Sequence, residues 1–205
     1  MKIVGIGKNY VNSPEELAAV KKGGALTIYT KPESSLVKNN ADIVFPSFTN
    51  DLRYEVELVL KIGKTGKDIA EQDANSYIEA IAVGIDYTAK DVLNTYREVK
   101  GPWDLAKGFD GAAPISAFKP ITDFSDLNDI NFGLKINNKQ VQTGNTSLII
   151  HNFATTIAFI STYMTLEPGD LIFTGTPTTG TGQIYKGDHL QASIEGEVLL
   201  DFKMV

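Results

Sequence analysis

The stretch Tyr54-Glu55-Val56-Glu57-Leu58-Val59-Leu60-Lys61-Ile62 decides how this chain folds. Its apolar residues alternate, which predicts a β-strand with one apolar face formed by Tyr54, Val56, Leu58, Leu60 and Ile62. Glu55 and Glu57 would then project together from the opposite face, about 6.6 Å apart along the backbone. Two glutamate side chains can close that gap around one cation at ligand distances of roughly 2.0–2.6 Å.

The two acids would conflict without a cation. Two carboxylates directed at one point repel each other, and one of them takes up a proton unless a positive charge is present. A divalent cation removes the conflict, so Glu55 and Glu57 are candidate metal ligands. The other interpretation of this stretch is a solvated edge strand that carries two surface acids.

Composition limits the classes of protein to consider. The 205 residues, 42% of them hydrophobic, predict one globular domain over residues 1–205. The net charge is −6 and only two residues, Arg53 and Arg97, are arginines, which disfavours a nucleic-acid partner. The absence of cysteine excludes disulfides, thiolate catalysis and zinc–thiolate sites. No apolar run reaches the length of a membrane span or a signal peptide, so we expect a cytoplasmic protein without a membrane partner.

Hydrophobic periodicity predicts the elements of the first half of the chain. Ser13-Pro14 followed by Glu16 is typical of a helix start, and this helix should run to about Lys22 and end at Gly23-Gly24. The remaining predictions are strands over 2–6, 26–29 and 43–45, a helix over 71–82, an extended piece over 83–86 and a loop over 91–106.

The second half is predicted to contain more strands than helix. Two hairpins are expected, one over 132–142 and one over 190–204 with its turn at Glu195-Gly196. A helix over 151–164 has an apolar stripe, and a short strand over 171–173 follows it. Many short strands with few helices indicate an α+β chain dominated by β structure.

A series of short motifs runs in order along nearly the whole chain. They are Gly7-Lys8-Asn9-Tyr10, Thr30-Lys31-Pro32, Tyr54-Glu55-Val56-Glu57-Leu58, Gly84-Ile85-Asp86-Tyr87-Thr88-Ala89-Lys90-Asp91, Lys107-Gly108-Phe109-Asp110, Gln142-Thr143-Gly144-Asn145-Thr146, Leu166-Glu167-Pro168-Gly169-Asp170, Thr174-Gly175-Thr176-Pro177 and Gly187-Asp188. With this ordered set, the chain resembles the short single-domain members of the fumarylacetoacetate hydrolase family. The resemblance implies a β-sandwich roll with a few helices, a homodimer, and Mg²⁺ or Mn²⁺ bound by Glu55, Glu57 and Asp86.

The resemblance also implies a substrate and a chemistry. Family substrates are 2-oxo acids or β-diketo acids, and the metal stabilises the enolate formed when a bond at C3 breaks. The reactions are C–C bond hydrolysis, decarboxylation and keto–enol isomerisation. By motif position, Lys107 would stabilise negative charge on the substrate, whereas Thr176, Gly175 and Lys31 would contact it. The alternatives are a surface lysine for Lys107, a turn residue for Thr176 and a structural ion pair for Lys31.

One position departs from the family pattern. Family members of this size carry a histidine and a glutamate three residues apart on a lid helix, and this pair activates a water in the hydrolytic members. Here the histidine position is Ser13, while Glu16 is retained as a candidate general base. Serine cannot act as a base near neutral pH, so hydrolysis by that route is in doubt. Decarboxylation of an oxaloacetate-like acid and tautomerisation need only enolate stabilisation.

Ser13 therefore leaves two functions open. The first is a Mg²⁺-dependent enzyme that acts on small 2-oxo acids. The second is a non-catalytic metabolite- or metal-binding protein that kept the fold but lost the base. Retention of Lys107, Thr176 and the three acids favours the enzyme. His151, at the start of the long predicted helix, is interpreted as structural, and Lys90 stands where family members commonly have an arginine.

Overall fold

Strands make up most of the regular structure. Residues 1–20 and 26–205 are described in this computed structural model. Their strands are β1 (Ile3–Gly7), β2 (Thr27–Lys31), β3 (Leu36–Val37), β4 (Leu52–Tyr54), β5 (Val56–Ile62), β6 (Ile78–Ile85), β7 (Thr88–Ala89), β8 (Ala113–Pro114), β9 (Lys119–Pro120), β10 (Asn131–Ile136), β11 (Lys139–Asn145), β12 (Leu171–Phe173), β13 (Gly182–Gln183), β14 (His189–Ile194) and β15 (Glu197–Lys203). Their α-helices are α1 (Pro14–Ala19), α2 (Glu71–Ala74), α3 (Lys90–Glu98), α4 (Asp104–Lys107) and α5 (Phe153–Tyr163). The expectation of an α+β chain that is mainly β is confirmed.

Two sheets enclose the main core. The larger has the strand order β2-β1-β12-β5-β6-β9, in which β1 and β12 are parallel, and the other has the order β11-β10-β14-β15. Side chains from both sheets share one buried cluster, including Leu58, Ile81, Leu134 and Leu190. Burial of these side chains away from water is the main force that holds the two sheets together.

The stretch 54–62, quoted at the start of the sequence analysis, is divided between two sheets. β4 pairs with β7 and β13 in a small sheet, whereas β5 lies in the middle of the larger one. Glu55 stands at the break, where its carbonyl accepts a hydrogen bond from the Asp86 N–H at 2.8 Å. Both faces of β5 are buried, because Val59 packs into a second apolar cluster on the side opposite Leu58. Glu57 is therefore a buried acid and not part of a solvated strand.

Several predicted elements are confirmed. Both hairpins form as β10–β11 and β14–β15, and β12 covers the predicted residues. The long predicted helix is α5, capped by the side chain of Asn152. α1 starts at Pro14 with Ser13 as its N-cap and ends at Ala19. The predicted helix end at Lys22 to Gly24 lies outside the described residues.

Other predictions were wrong. The segment 71–82 is helical only over α2 and one 3₁₀ turn, Asn75–Tyr77. The reason is that Ile78 starts β6, which pairs with β5 through seven pairs of residues. The predicted loop 91–106 contains α3 and α4. The predicted strand at 43–45 is reduced to one bridge between Ile43 and Met204. By contrast, the predicted strand at 26–29 is confirmed and forms as Thr27–Lys31. In the described ranges, the helices are all too short or too polar to span a membrane.

Candidate metal centre and substrate cavity

Three acids converge where β4, β5 and β6 meet. Glu55 lies between β4 and β5, Glu57 is the second residue of β5, and Asp86 follows the last residue of β6. One carboxylate oxygen from each lies within 4.8 Å of the others. Glu57 and Asp86 are buried, while Glu55 is partly exposed. Carboxylate oxygens at this spacing are the donors that a hard cation such as Mg²⁺ or Mn²⁺ prefers, so the residues fit the predicted divalent ion.

A hydrogen bond from the turn at Gly175 fixes the side chain of Glu57. The main-chain N–H of Gly175 donates to Glu57 Oε2 at 2.7 Å. Gly175 has a φ of 103°, and a Cβ at this position would lie 2.7 Å from the Cβ of Asn9. Burial raises the pKa of the Glu57 carboxyl well above its usual value, and the Asp86 and Glu55 carboxylates raise it further.

Lys107 bridges two of the three acids. Its Nζ lies 2.8 Å from Glu55 Oε2 and also donates to Asp86 Oδ2. The side chain is buried, which excludes a surface lysine. Burial disfavours the charged form, but the two carboxylates outweigh this effect and raise the pKa of Lys107 above its ordinary value. A permanent positive charge therefore faces the acids.

Lys31 lies behind the acids. Its Nζ is 2.7 Å from Asp86 Oδ1 and 3.1 Å from the carbonyl oxygen of Ala112, and it also donates to the carbonyl of Lys107. Burial lowers the pKa of Lys31. For Asp86, burial opposes ionisation, but Lys107 and Lys31 outweigh it and hold the pKa below its ordinary value. These contacts match the alternative of a structural ion pair, and substrate binding by Lys31 stays a prediction.

The charges of this cluster leave room for a cation. Glu55, Glu57 and Asp86 supply three carboxylates, and Lys31 and Lys107 supply two ammonium groups. When all five groups are ionised, the net charge of the cluster is −1. Glu57 resists ionisation because its carboxyl group is buried next to two other acids. A divalent cation would offset the repulsion that the two lysines leave uncompensated.

A cavity of about 220 Å³ opens above Glu55, Glu57 and Lys107. Its other lining residues are Ile6, Gly7, Lys8, Tyr29, Lys90, Leu93, Arg97, Trp103, Thr176 and Thr178. A larger cavity of about 490 Å³ lies elsewhere, lined by residues of α1, α5 and the segment before α5, among them His151. The smaller cavity is the candidate substrate site, because Glu55, Glu57 and Lys107 line it.

Thr176 lines this cavity, but its hydroxyl is already engaged. Thr176 Oγ1 donates to the carbonyl of Val56 at 2.9 Å and accepts from Gln142 Nε2 at 3.1 Å. The Gln142 side chain also accepts from the Val56 N–H at 3.0 Å, so it ties the turn at 174–177 to β5. Reasoning from sequence missed this role of Gln142; its place in a motif next to Thr143-Gly144 was the available signal.

Tyr29 is a second missed residue. It lines the cavity, and its buried hydroxyl donates to Asp86 Oδ2. Burial raises the pKa of Tyr29 well above its usual value, and the Asp86 carboxylate raises it further. The hydroxyl therefore keeps its proton and donates a hydrogen bond to the Asp86 carboxylate. Nothing in the local sequence around Tyr29 indicates this contact, since Asp86 is 57 residues away.

Glu16 lies apart from the three acids. It is exposed on α1, and its Oε2 accepts from the Asn12 N–H at 2.8 Å and from Asn12 Nδ2 at 3.2 Å. Ser13 Oγ accepts from the Glu16 N–H at 3.3 Å. Asn12 also accepts from the hydroxyl of Thr178, which lines the cavity. Glu16 is thus linked to the cavity rim through Asn12, and its role as a base stays a prediction.

Comparison with known proteins decides the family. The family described as fumarylacetoacetate (FAA) hydrolase C-terminal matches residues 2–203. The chain belongs to the fumarylacetoacetate hydrolase family. It is 35% identical over 202 residues to the mitochondrial oxaloacetate tautomerase of Mus musculus, covering 98% of this chain and 90% of that protein. It is also 35% identical over 196 residues to the mitochondrial oxaloacetate decarboxylase of Dictyostelium discoideum, covering 95% and 89%.

Solved structures of the family confirm the fold predicted from the resemblance. The fumarylpyruvate hydrolase of Pseudomonas aeruginosa, in complex with Mn²⁺ and pyruvate, matches with a TM-score of 0.90 and 30% identity over 100% of this chain and 89% of that one. The 2-hydroxyhepta-2,4-diene-1,7-dioate isomerase of Mycobacterium marinum matches with a TM-score of 0.85 and 33% identity over 100% and 74%. The chain is therefore an enzyme of this hydrolase family with an acidic centre suited to a divalent metal.

Proposed function

We propose that this chain is a Mg²⁺- or Mn²⁺-dependent enzyme that decarboxylates or tautomerises a small 2-oxo acid of the oxaloacetate type. The observation that carries the proposal is the position of Lys107, whose ammonium group lies beside Glu55 and Asp86 at the floor of the cavity. A divalent cation held by Glu55, Glu57 and Asp86 would act as a Lewis acid on the oxygens of the 2-oxo acid.

Lys107 would supply a second positive charge to the substrate. Its raised pKa keeps it protonated, and its burial keeps the charge from being screened by water. As a bond at C3 breaks or a proton leaves C3, negative charge collects on the oxygen of the 2-oxo group. An ammonium group that is already in place stabilises this charge without reorganisation.

The substrate carboxylate would face the turn at 174–177. The hydroxyl proton of Thr176 is committed to the carbonyl of Val56, and the N–H of Gly175 is committed to Glu57. We therefore assign carboxylate binding to the main-chain N–H of Thr176, whose side chain fixes the turn through Val56 and Gln142. In this assignment Gly175 positions a metal ligand.

Hydrolysis is the less favoured reaction. It needs a base to activate water, and Ser13 cannot serve as one. Glu16 is held on α1 by Asn12, outside the lining of the cavity. Decarboxylation forms the enolate by loss of CO₂ and requires only the charge-stabilising groups, Lys107 and the three acids with their cation. Tautomerisation also needs a group that accepts the C3 proton and returns it to the oxygen. The non-catalytic alternative is not favoured, since relatives with a third of their residues identical to this chain are named enzymes.

Three further properties are carried from the family resemblance as part of this proposal. Residues 1–205 form one catalytic domain, two copies assemble as a homodimer, and Mg²⁺ is the resident ion. We also keep the expectation of a cytoplasmic location, although the similar proteins of Mus musculus and Dictyostelium discoideum are mitochondrial.

A spectrophotometric assay tests the proposal. Tautomerisation and decarboxylation of oxaloacetate and hydrolysis of acetylpyruvate would be followed with Mg²⁺, with Mn²⁺ and after chelation. We expect metal-dependent turnover of oxaloacetate and slow hydrolysis. Lys107→Gln should lower the oxaloacetate rates by about 10² or more, whereas Lys135→Gln, an exposed change on β10, should leave them unchanged. Turnover that persists in Lys107→Gln, with the fold intact by circular dichroism, would refute the assignment.

A further inference from the structure

The mouth of the substrate cavity is strongly cationic. Besides Lys107, the lining residues include Lys8, Lys90 and Arg97, whereas its only acidic lining residues in the described chain are Glu55 and Glu57. None of Lys8, Lys90 and Arg97 forms an ion pair with any carboxylate in the part of the chain that is described. These three charges are therefore available to an anionic group that enters the cavity.

α3 presents two of these cations on one face. Leu93 is the buried residue of α3 and also lines the cavity. Lys90 lies three residues before Leu93 and Arg97 lies four residues after it, and these spacings place all three on one side of a helix. The face of α3 that is packed against the protein thus also directs Lys90 and Arg97 to the cavity.

Arg97 has a fixed aromatic support. Its guanidinium carbon lies 5.3 Å from the ring centroid of Trp103, which also lines the cavity. The Trp103 ring in turn lies 6.1 Å from the ring of Tyr29, and Tyr29 donates to Asp86. A guanidinium stacked on an aromatic ring is pre-organised and keeps its N–H groups free in its own plane.

We propose that Arg97, supported by Trp103, is a specificity-determining residue that binds a second carboxylate of the substrate. The enzyme would then prefer 2-oxo acids with two acidic groups over those with one. This inference rests on the proposed function. Arg97 suits this role better than Lys8 or Lys90, because a planar guanidinium can bind both oxygens of a carboxylate at once. The metal and Lys107 would hold the 2-oxo acid group of the substrate. The cations that remain at the cavity, Lys8, Lys90 and Arg97, can then bind a second acidic group.

Trp103 provides a direct binding signal. It is the only tryptophan in the sequence, so intrinsic fluorescence reports on the ring beneath Arg97. The Mg²⁺-loaded protein would be titrated with 2-oxoglutarate and with 2-oxopentanoate, which have the same chain length and differ in a terminal carboxylate or methyl group. We expect 2-oxoglutarate to bind about tenfold more tightly or better, since one charge-assisted contact is worth at least that factor.

Variants test whether Arg97 causes the preference. Arg97→Gln should bring the two dissociation constants within about twofold of each other, and Arg97→Lys should keep part of the preference because the charge remains. Lys135→Gln removes one positive charge from β10, far along the chain from α3 in the second sheet, and should change neither constant. Equal binding of the two acids by the wild type, or a preference that survives Arg97→Gln, would overturn the proposal.

Steady-state kinetics separate this inference from the proposed function. For Arg97→Gln, KM for tautomerisation of oxaloacetate, which keeps both carboxylates, should rise by about tenfold with kcat little changed. KM for acetylpyruvate, which has one carboxylate, should stay the same. An equal loss with both acids would indicate a structural role and overturn the proposal. If the wild type turns over both acids and Arg97→Gln changes neither rate, only this inference is rejected. If the wild type shows no metal-dependent turnover with either acid, the proposed function itself is rejected.

Discussion

Gly175 donates its main-chain N–H to Glu57 Oε2 at 2.7 Å, so a residue of one motif orients a metal ligand of another that lies 118 positions earlier. The two segments meet because β12, which precedes Gly175, pairs with β5, which contains Glu57. The contact joins the turn at 174–177 to the acidic centre, and its geometry depends on a backbone conformation that favours glycine.

Replacing Gly175 by alanine should therefore damage both stability and metal binding. The new Cβ would meet the Cβ of Asn9 at 2.7 Å in a residue with φ of 103°. We expect Gly175→Ala to lower the free energy of unfolding by roughly 1–3 kcal/mol and to weaken Mn²⁺ binding, measured by urea unfolding and calorimetry. Gly187→Ala is the matched control, because Gly187 has φ of 93° with no atom within 4 Å of the added Cβ. If Gly187→Ala lost as much metal affinity as Gly175→Ala, the loss could not be attributed to the contact between Gly175 and Glu57.

Glu57→Gln should abolish tight binding of Mg²⁺ and Mn²⁺. The change keeps the size of the side chain but removes one of the three charges that face the ion. Binding would be measured by calorimetry, and stabilisation by melting with and without the ion. For the wild type at 100 times Kd, the ion should add about 2.7 kcal/mol to the free energy of unfolding.

An exposed acid gives the control for this experiment. Glu197 pairs with Lys119 on the surface, and Glu197→Gln should leave the stabilisation by metal unchanged. Undiminished binding of Mn²⁺ by Glu57→Gln would show that the ion is held elsewhere, and the assignment of the acidic centre would be withdrawn.

The protein should be a homodimer in solution. This prediction comes from the family resemblance, and light scattering should give a mass of twice the 22.3 kDa of the chain. A monomer mass at micromolar concentration would contradict the prediction.

Local patterns in the sequence were enough for elements whose partners are near in the chain. The β10–β11 and β14–β15 hairpins follow from alternation and turn residues, and α5 follows from its apolar stripe. The three acids could also be predicted from the sequence, because Glu55 and Glu57 lie two residues apart and Asp86 lies in a recognisable motif.

Elements fixed by distant contacts were not predictable in the same way. Ile78 and Ile81 fit a helical stripe as well as a strand, and pairing with β5 decides for the strand. α3 has only one buried residue, Leu93, so its polar sequence resembles a loop. The place of Arg97 in the cavity follows from α3, and no pattern in the sequence could have shown it. Likewise, Lys31 becomes an ion-pair partner of Asp86 only through the tertiary fold.

Ser13→His should raise hydrolysis selectively. The charge-stabilising set is in place, while the pair that activates water is half missing, so the wild type should be a poor acylpyruvate hydrolase. The new imidazole would lie one helical turn from Glu16, which could orient it as a base. We expect acetylpyruvate hydrolysis to increase by about tenfold or more, equivalent to roughly 1.4 kcal/mol of transition-state stabilisation. Tautomerisation of oxaloacetate should change less.

Ser13→His should also lower the stability of the protein. Ser13 caps α1 by accepting from the Glu16 N–H, and loss of the cap should destabilise the protein by about 1 kcal/mol. Ser13→Ala loses the cap without gaining an imidazole, so it separates the two effects: it should melt earlier, like Ser13→His, without faster hydrolysis. Adding Glu16→Gln to Ser13→His should remove most of the gain. Efficient hydrolysis by the wild type that survives Glu16→Gln would mean that water is activated by another group, because Glu16 would then have no part in the reaction.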